Sequence, residues 1–452
     1  MDRAFLRAGA ADMGDSRKDP AVNRELPGIV RGEEDPVLTV QRRRLFMSTW
    51  ITYAGFYFCR KNLSIVLPLF EGARAMSHIE LANIVFGYSL FYAIGQFTCG
   101  LLSDRYGARR VVGAGVIVVV LSNLMMSLYG SPLWLLCFAC VNGLGQSSGW
   151  SGLVRMMGNW FPGNQRGIVM AWWSTNYVLG GFLATAFATW SITQPFLLAG
   201  LGWRRGFFFP ALIVALAALG FFLFAQDSPE KSATAKLQPE AKQQRHPWDF
   251  TVLSSLLRNK TLWVISLSYF FLELCRYALM FWLPYFMVSH LHFKLGISGY
   301  VSSLYEFAGV GGALLAGYIS DRYMQSRRAP VSAFMMCGFA VIALLPVFYP
   351  QPGLVFTAIG IALAGVFTYG PDTLLSGAAA QDVGRGVSTA TTSGFIDGVG
   401  HLGSLLSPYL VVYVSAHYGW NLVFLLFFLA AILSAASLVP VWRMRPADSE
   451  AA

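Results

Sequence analysis

An all-helical membrane protein, with twelve transmembrane helices in two pseudo-symmetric six-helix bundles, is the fold class this sequence predicts, on three observations. Of 452 residues, 55% are hydrophobic and only 12% charged, against a charged share of about 25% in soluble domains. The apolar residues gather in twelve blocks of near-bilayer length. A charged motif at the end of one block returns once, half the chain later.

The blocks lie near residues 45 to 70, 82 to 103, 111 to 129, 132 to 157, 167 to 190 and 205 to 225, then 260 to 288, 297 to 319, 330 to 350, 353 to 376, 386 to 412 and 420 to 442. About 20 apolar residues span the hydrocarbon of a bilayer. A single water-soluble core stops growing at roughly 250 to 300 residues, so this much apolar sequence calls for a lipid environment. Between the sixth and seventh blocks, residues 226 to 259 form a polar run that reads as a cytoplasmic linker. The chain thus divides into a polar tail (1 to 44), an N-terminal bundle (45 to 225), the linker (226 to 259), a C-terminal bundle (260 to 442) and a short tail (443 to 452).

Basic residues orient the spans. Arg42, Arg43 and Arg44 precede the first span, Arg105, Arg109 and Arg110 follow the second, Arg322, Arg327 and Arg328 follow the eighth, and Arg443 and Arg445 follow the last. All fall on one side if both termini are cytoplasmic, as the positive-inside rule prefers; Arg204 and Arg205 are the exception on the other side. The net charge of +10 is then a topology signal. It does not read as nucleic-acid binding, because the basic residues are spread over many short loops. All six cysteines fall inside spans with no zinc or disulfide spacing, and the polar first 40 or so residues lack the apolar region of a signal peptide.

The recurring motif sharpens the division. Gly100-Leu-Leu-Ser-Asp-Arg-Tyr-Gly-Ala-Arg-Arg110 is echoed by Gly317-Tyr-Ile-Ser-Asp-Arg-Tyr-Met-Gln-Ser-Arg-Arg328, and Asp321 minus Asp104 gives an offset of 217. Arg60, in the middle of span 1, maps at an offset of 216 onto Arg276 in the middle of span 7. At 1.5 Å per residue each lies about 24 Å along its helix from a basic flank. A mid-span arginine costs roughly 2.5 to 3.5 kcal/mol on insertion scales and usually faces a cavity or a partner. A guanidinium is a planar fork of donors that matches phosphate oxygens. One fork from each half, meeting at the pseudo-twofold axis, would clamp a phosphoryl dianion.

The loop G-x-L/I-S-D-R with trailing basic residues resembles the loop motif of the major facilitators, whose half-bundles rock around a central site. More narrowly, Tyr53-Ala-Gly-Phe-Tyr-Phe-Cys-Arg-Lys-Asn62, Leu304-Tyr-Glu-Phe-Ala-Gly309, Tyr369-Gly-Pro371 and Arg276-Tyr277 with Trp282 are similar to the organophosphate:phosphate antiporters, which include glycerol-3-phosphate and hexose-phosphate transporters and the sugar-phosphate exchangers. The resemblance runs from about residue 45 to 440 and implies that Arg60 and Arg276 bind phosphate. Two departures favour a cargo other than glycerol 3-phosphate: Asn159 stands where those transporters have a histidine, and Glu273 where they have a tyrosine. Phe395-Ile-Asp-Gly-Val-Gly400 is more similar to the sugar-phosphate exchangers.

Around the arginines the expected substrate-binding set is Lys61, Tyr53, Tyr57, Asn159, Glu273, Tyr277, Glu306 and Tyr369. Tyr53 and Tyr57 lie seven and three residues before Arg60, on its face. Lys61 points about 100° away and either contacts phosphate secondarily or pairs with an acid. Glu273, three residues before Arg276, and Glu306 are carboxylates with which the arginines would pair if they bound no substrate. Asp397 and His401, four apart in span 11, read as an acid–imidazole pair that either bridges helices or couples a proton. Asp372 follows the Gly370-Pro371 break, where freed backbone lines a cavity in many transporters. Asp104, Arg105, Asp321 and Arg322 read as gating elements at the cytoplasmic edge. The glycine runs lack the lysine of a P-loop and suit close helix contact.

The expected activity is exchange of an organophosphate for inorganic phosphate by a monomeric, multi-pass carrier in a bacterial inner membrane, with no enzyme chemistry, cofactor, metal or nucleic-acid partner. Two rivals use the same site: a sensor of external sugar phosphate, and a proton-coupled symporter of organic anions relying on Asp397, His401 or Glu273.

Overall fold

The computed structural model describes residues 36–74, 76–161, 163–194, 196, 198–228, 258–384 and 389–444. Their long helices are α1 (Pro36–Arg74), α2 (His78–Tyr106), α3 (Ala108–Leu128), α4 (Pro132–Trp160), α5 (Gly163–Thr193) and α6 (Arg205–Phe224), then α7 (Lys260–Ser289), α8 (Leu295–Tyr323), α9 (Arg328–Phe348), α10 (Leu354–Asp372), α11 (Thr389–Tyr418) and α12 (Trp420–Ser437). Every anticipated span has its helix. The first begins earlier than expected, at Pro36, which turns the end of the anticipated tail into helix. Most of the linker, residues 229–257, and the tail residues 1–35 and 445–452 lie outside the described residues.

Local chemistry sets the helix ends. Ser77 and Glu80 form a capping box at the start of α2, with the Ser77 amide donating to Glu80 Oε2 at 2.8 Å. Asn259 Oδ1 accepts from the amides of Thr261 and Leu262 at the start of α7, at 3.0 and 3.3 Å. Arg205 explains why a basic residue sits at the end where few were expected. It is 9% exposed, and its guanidinium donates to the Ile192 carbonyl at 2.5 Å, so it satisfies an otherwise open carbonyl at the end of α5.

Seven stretches among the described residues are long and apolar enough to cross a membrane: those containing α3, α6, α7, α9, α10, α11 and α12. The other five helices, α1, α2, α4, α5 and α8, are 29 to 39 residues long, ample for a 30 Å core. Their mean hydropathy is lowered by the buried polar residues they carry inward, among them Arg60, Lys61, Ser89, Gln146, Asn176 and Glu306. Outward faces carry large apolar residues such as Leu216, Leu314 and Val355, each over 70% exposed, as lipid-facing positions must be.

The repeat read in the sequence is also a repeat in packing. α2 meets α4 where Gly143 lies against the Tyr88 carbonyl, and α8 meets α10 where Gly365 lies against the Tyr305 carbonyl; 305 minus 88 is again 217. A methyl group at Gly365 would lie 2.0 Å from that carbonyl oxygen, which is backbone and has no rotamer to yield. Gly365→Ala should therefore destabilise the fold by about 1 to 3 kcal/mol. Gly311→Ala, where nothing lies within 4 Å, should leave it unchanged; equal unfolding temperatures for the two purified variants would contradict this. The echoed loops differ by one residue. The first turns on Gly107 at φ +91°, whereas the longer second loop turns on Gln325 and Ser326 at φ +54° and +59°, held by the Ser326 amide donating to the Ser320 carbonyl at 2.8 Å.

Arg42 of α1, Trp160 at the end of α4 and Gln226 after α6 come together at one end of the bundle. Described contacts at that end include Arg42 Nε donating to the Trp160 carbonyl at 3.0 Å, and Arg109 N donating to Asp227 Oδ1, at the start of the linker, at 2.8 Å. At the far end, described contacts cross between halves. Tyr409 of α11 donates to Asn83 of α2 at 2.7 Å, and Tyr285 of α7 to Glu71 of α1 at 3.1 Å. Glu71 Oε1 also lies 2.7 Å from His78 Nε2.

Candidate functional site

Halfway along α1 and α7, Arg60 and Arg276 both point inward. Arg60 is 4% exposed and rests on two tyrosine faces, with its Cζ 4.6 Å from the Tyr57 ring centre and 4.8 Å from that of Tyr92 of α2. Its Nη2 donates to Gln146 Oε1 of α4 at 3.3 Å. Gln146 is in turn fixed by donating Nε2 to the Phe56 carbonyl at 2.8 Å, so the amide aims the guanidinium. Arg60 Nε is buried without a hydrogen-bond partner, a donor left for something else.

Arg276 has a different environment. Its Nη1 lies 2.6 Å from Glu273 Oε1 and 3.4 Å from Asp372 Oδ1, and its Cζ lies 4.8 Å from the Tyr369 ring centre. Asp372 closes α10, directly before a change of helix type. Pro371 cannot donate within α10, and Thr373–Ala379 continue as a π-helix before a final turn, Ala380–Gly384. Tyr269 then donates to Asp372 Oδ1 at 2.7 Å. Arg276 Nε and Glu273 Oε2 are both buried and unpartnered.

The two guanidinium groups share neighbours. Tyr57, Lys61, Tyr277 and His401 each lie within electrostatic reach of both. Lys61 points from α1 into the other half, where it forms an ion pair with Glu306 of α8 and donates to the Met280 carbonyl at 3.3 Å. Both partners are buried. Of the two readings of Lys61, the structure has the acid pair. Tyr177 of α5 stacks on Tyr369 with ring centres 6.4 Å apart, a further bridge between halves.

Most of the expected residues meet around these two arginines, but two expectations need correction. Asn159 is exposed at the terminal end of α4, where Nδ2 donates to the Asp227 carbonyl at 3.0 Å, so it contacts the start of the linker and not the arginines. The chain direction explains this: Asn159 is 13 residues past Gln146, about 20 Å along the helix. Asp397 and His401 share a helix face, but the described contact is not an acid–imidazole pair. His401 Nδ1 lies 2.8 Å from the Asp397 main-chain carbonyl. A carbonyl only accepts, so the proton sits on Nδ1, and Nε2 faces the Tyr277 hydroxyl at 3.4 Å. The His401 ring stacks on Tyr92 with centres 5.5 Å apart. Tyr53 packs in a ring cluster with Trp150 and Trp173, at 5.5 and 5.7 Å, while staying within electrostatic reach of Arg60.

The edge residues lie apart from the chamber. Asp321 pairs with Arg328 and accepts from Ser326 Oγ at 3.1 Å, Arg322 is exposed, and Arg105 lies over Tyr106 at 5.4 Å. The Asp104 side chain lies outside the described ones. Sequence reasoning missed Gln146, Tyr92 and Tyr269. Their signals were an amide, Gln146, four residues after another, Asn142, in a largely apolar span, and tyrosines whose significance depends on which way they face.

A paired bundle with charged residues buried at mid-depth is a carrier architecture, and the sequence model of the Major Facilitator Superfamily matches residues 49–396. The chain belongs to that superfamily. Among curated major facilitators it is 27% identical over 420 residues to the glycerol-3-phosphate transporter of Bacillus subtilis, covering 89% of this chain and 92% of that one. It is 26% identical over 426 residues to a probable hexose phosphate transport protein of Chlamydia trachomatis, covering 89% and 91%. With sugar phosphate exchanger 3 of Mus musculus it shares 28% identity over 424 residues, covering 84% and 85%. Among solved major facilitators, a bacterial homologue of the human lysosomal transporter Spinster, inward-facing and unoccupied, superposes with a TM-score of 0.70 at 16% identity, covering 89% and 95%. A mutant of the nucleoside transporter NupG gives 0.68 at 14%, covering 89% and 100%. At these identities the structures share the fold alone with this chain, an integral membrane fold crossed by many apolar helices.

Proposed function

We propose that this major facilitator carries a phosphorylated small molecule, a sugar phosphate or glycerol 3-phosphate, across the membrane by alternating access, with inorganic phosphate moving in the opposite direction. The observation that carries this reading is the pair of inward arginines, one per half, within electrostatic reach of the same four side chains. Each keeps a buried, unpartnered Nε donor. Guanidinium forks favour phosphate oxygens over other anions by geometry as well as charge. The names of the three curated relatives above support the same class of cargo.

Both termini are placed in the cytoplasm, on the side of the arginine-rich loops, with the membrane taken as a bacterial inner membrane and the carrier as a monomer. The described contacts then close the chamber at its external end, through Tyr409–Asn83 and Tyr285–Glu71, as in an inward-facing state. Residues 1–35, ahead of α1, and residues 226–259 and 443–452 serve as cytoplasmic tails and linker between the two bundles.

Purified protein in liposomes loaded with phosphate tests the function. Labelled glycerol 3-phosphate or glucose 6-phosphate should enter faster than into empty vesicles, and external phosphate should compete. If neither solute enters and phosphate itself does not cross, the proposal fails.

A further inference from the structure

The two arginines are not equivalent. Arg60 is surrounded by Gln146 and the faces of Tyr57 and Tyr92, all uncharged. Arg276 is held by Glu273 from its own helix and Asp372 from the last position of α10, and Asp397 of α11 lies within electrostatic reach of this cluster. Lys61 and Glu306 neutralise each other. Among the described residues this buried cluster thus holds three cations, Arg60, Lys61 and Arg276, against four acidic side chains, Glu273, Glu306, Asp372 and Asp397. Other titratable groups facing Arg276 and its acids are Tyr57, Tyr177, Tyr269, Tyr277, Tyr305, Tyr369 and His401.

Strict exchange requires that the unloaded carrier be unable to change state. Two unscreened guanidinium groups would supply that barrier, because closing around them removes water without supplying an anion. This chamber instead brings its own anions. The geometry points to Glu273 and Asp372 as a built-in counter-anion for Arg276, so that the unloaded carrier returns and the protein performs net transport of phosphate compounds besides exchanging them. Solute phosphate arrives first at Arg60, where no carboxylate competes, and takes Arg276 by displacing Asp372, the longer of its two carboxylate contacts at 3.4 Å. When the solute leaves, the carboxylate closes back on Arg276.

This inference rests on the transport reading above and is tested separately from it. Wild-type protein is reconstituted in vesicles holding either phosphate or an impermeant buffer, and entry of labelled inorganic phosphate is followed. Entry into the phosphate-free vesicles should run at about one-tenth of the exchange rate or faster, a barrier difference of no more than about 1.4 kcal/mol. Asp372→Asn should lower the ratio of net entry to exchange by about tenfold. It should also tighten phosphate binding in detergent, as should Glu273→Gln, which provides a second variant if the first does not fold. Wild-type entry confined to phosphate-loaded vesicles would overturn the inference and leave the transport reading intact. A ratio unchanged in both folded variants would overturn the role given to the two acids. Absence of both modes in the wild type would strike at the transport reading itself.

Discussion

Arg60→Lys is expected to lower phosphate-driven uptake in proteoliposomes by about 100-fold while leaving the protein folded. Charge is conserved in this variant, so a loss cannot come from the sign of the site. What disappears is the planar fork: an ammonium cannot offer two parallel N–H groups to one phosphate, and each lost charge-assisted hydrogen bond is worth about 1.5 to 3 kcal/mol. The Gln146 amide that aims Arg60 and the tyrosine faces beneath it would have no planar group to hold. Uptake within threefold of wild type, with unaltered phosphate affinity, would show that Arg60 acts as a point charge only. Because Arg276 shares its fork with Glu273 and Asp372, Arg276→Lys should have the smaller effect on first binding of phosphate.

The second large effect concerns the bridge between halves. Glu306→Gln leaves the Lys61 ammonium buried in the opposite half with the Met280 carbonyl as its described partner. Removing one partner from a buried ion pair costs about 3 to 5 kcal/mol. A clear fall in unfolding temperature in detergent is expected, together with loss of transport. The double variant Lys61→Met, Glu306→Leu should recover most of the stability, since it removes both desolvation penalties at once. It should not recover transport to the same degree if the pair also times the movement of α1 against α8. Additive stability losses in the double variant would show that the two residues do not interact in the folded protein.

Much of the fold was legible along the chain because a bilayer imposes a length rule on each helix separately. An 18- to 30-residue apolar block announces itself without knowledge of its neighbours. The offset of 217, read first from Asp104 and Asp321, reappears in the two tyrosine carbonyls against which Gly143 and Gly365 pack, because duplicated halves keep the same helix contacts. The site was legible in part. Arg60 and Arg276 stood out because a charge in mid-membrane is expensive wherever it occurs. Gln146 and Tyr92 did not, since an amide and a tyrosine are tolerated on many faces. Asn159 was misplaced for the converse reason: a residue matched to a family position carries no information on its depth unless the helix ends are known.

By itself, then, the sequence determined the number of the spans, the duplication, the clustering of basic residues in a subset of the loops, and the presence of two costly arginines at matched depth. Each of these follows from local composition or from repetition, which a linear chain records directly. Only the tertiary structure decided how the charges combine between helices: Lys61 with Glu306 across the halves, Arg276 with Asp372 at the end of α10, and Arg60 with neutral partners alone. Those pairings depend on which faces of helices over 30 residues apart in sequence come within about 4 Å, and electrostatic energy in a low-dielectric interior is set by that distance.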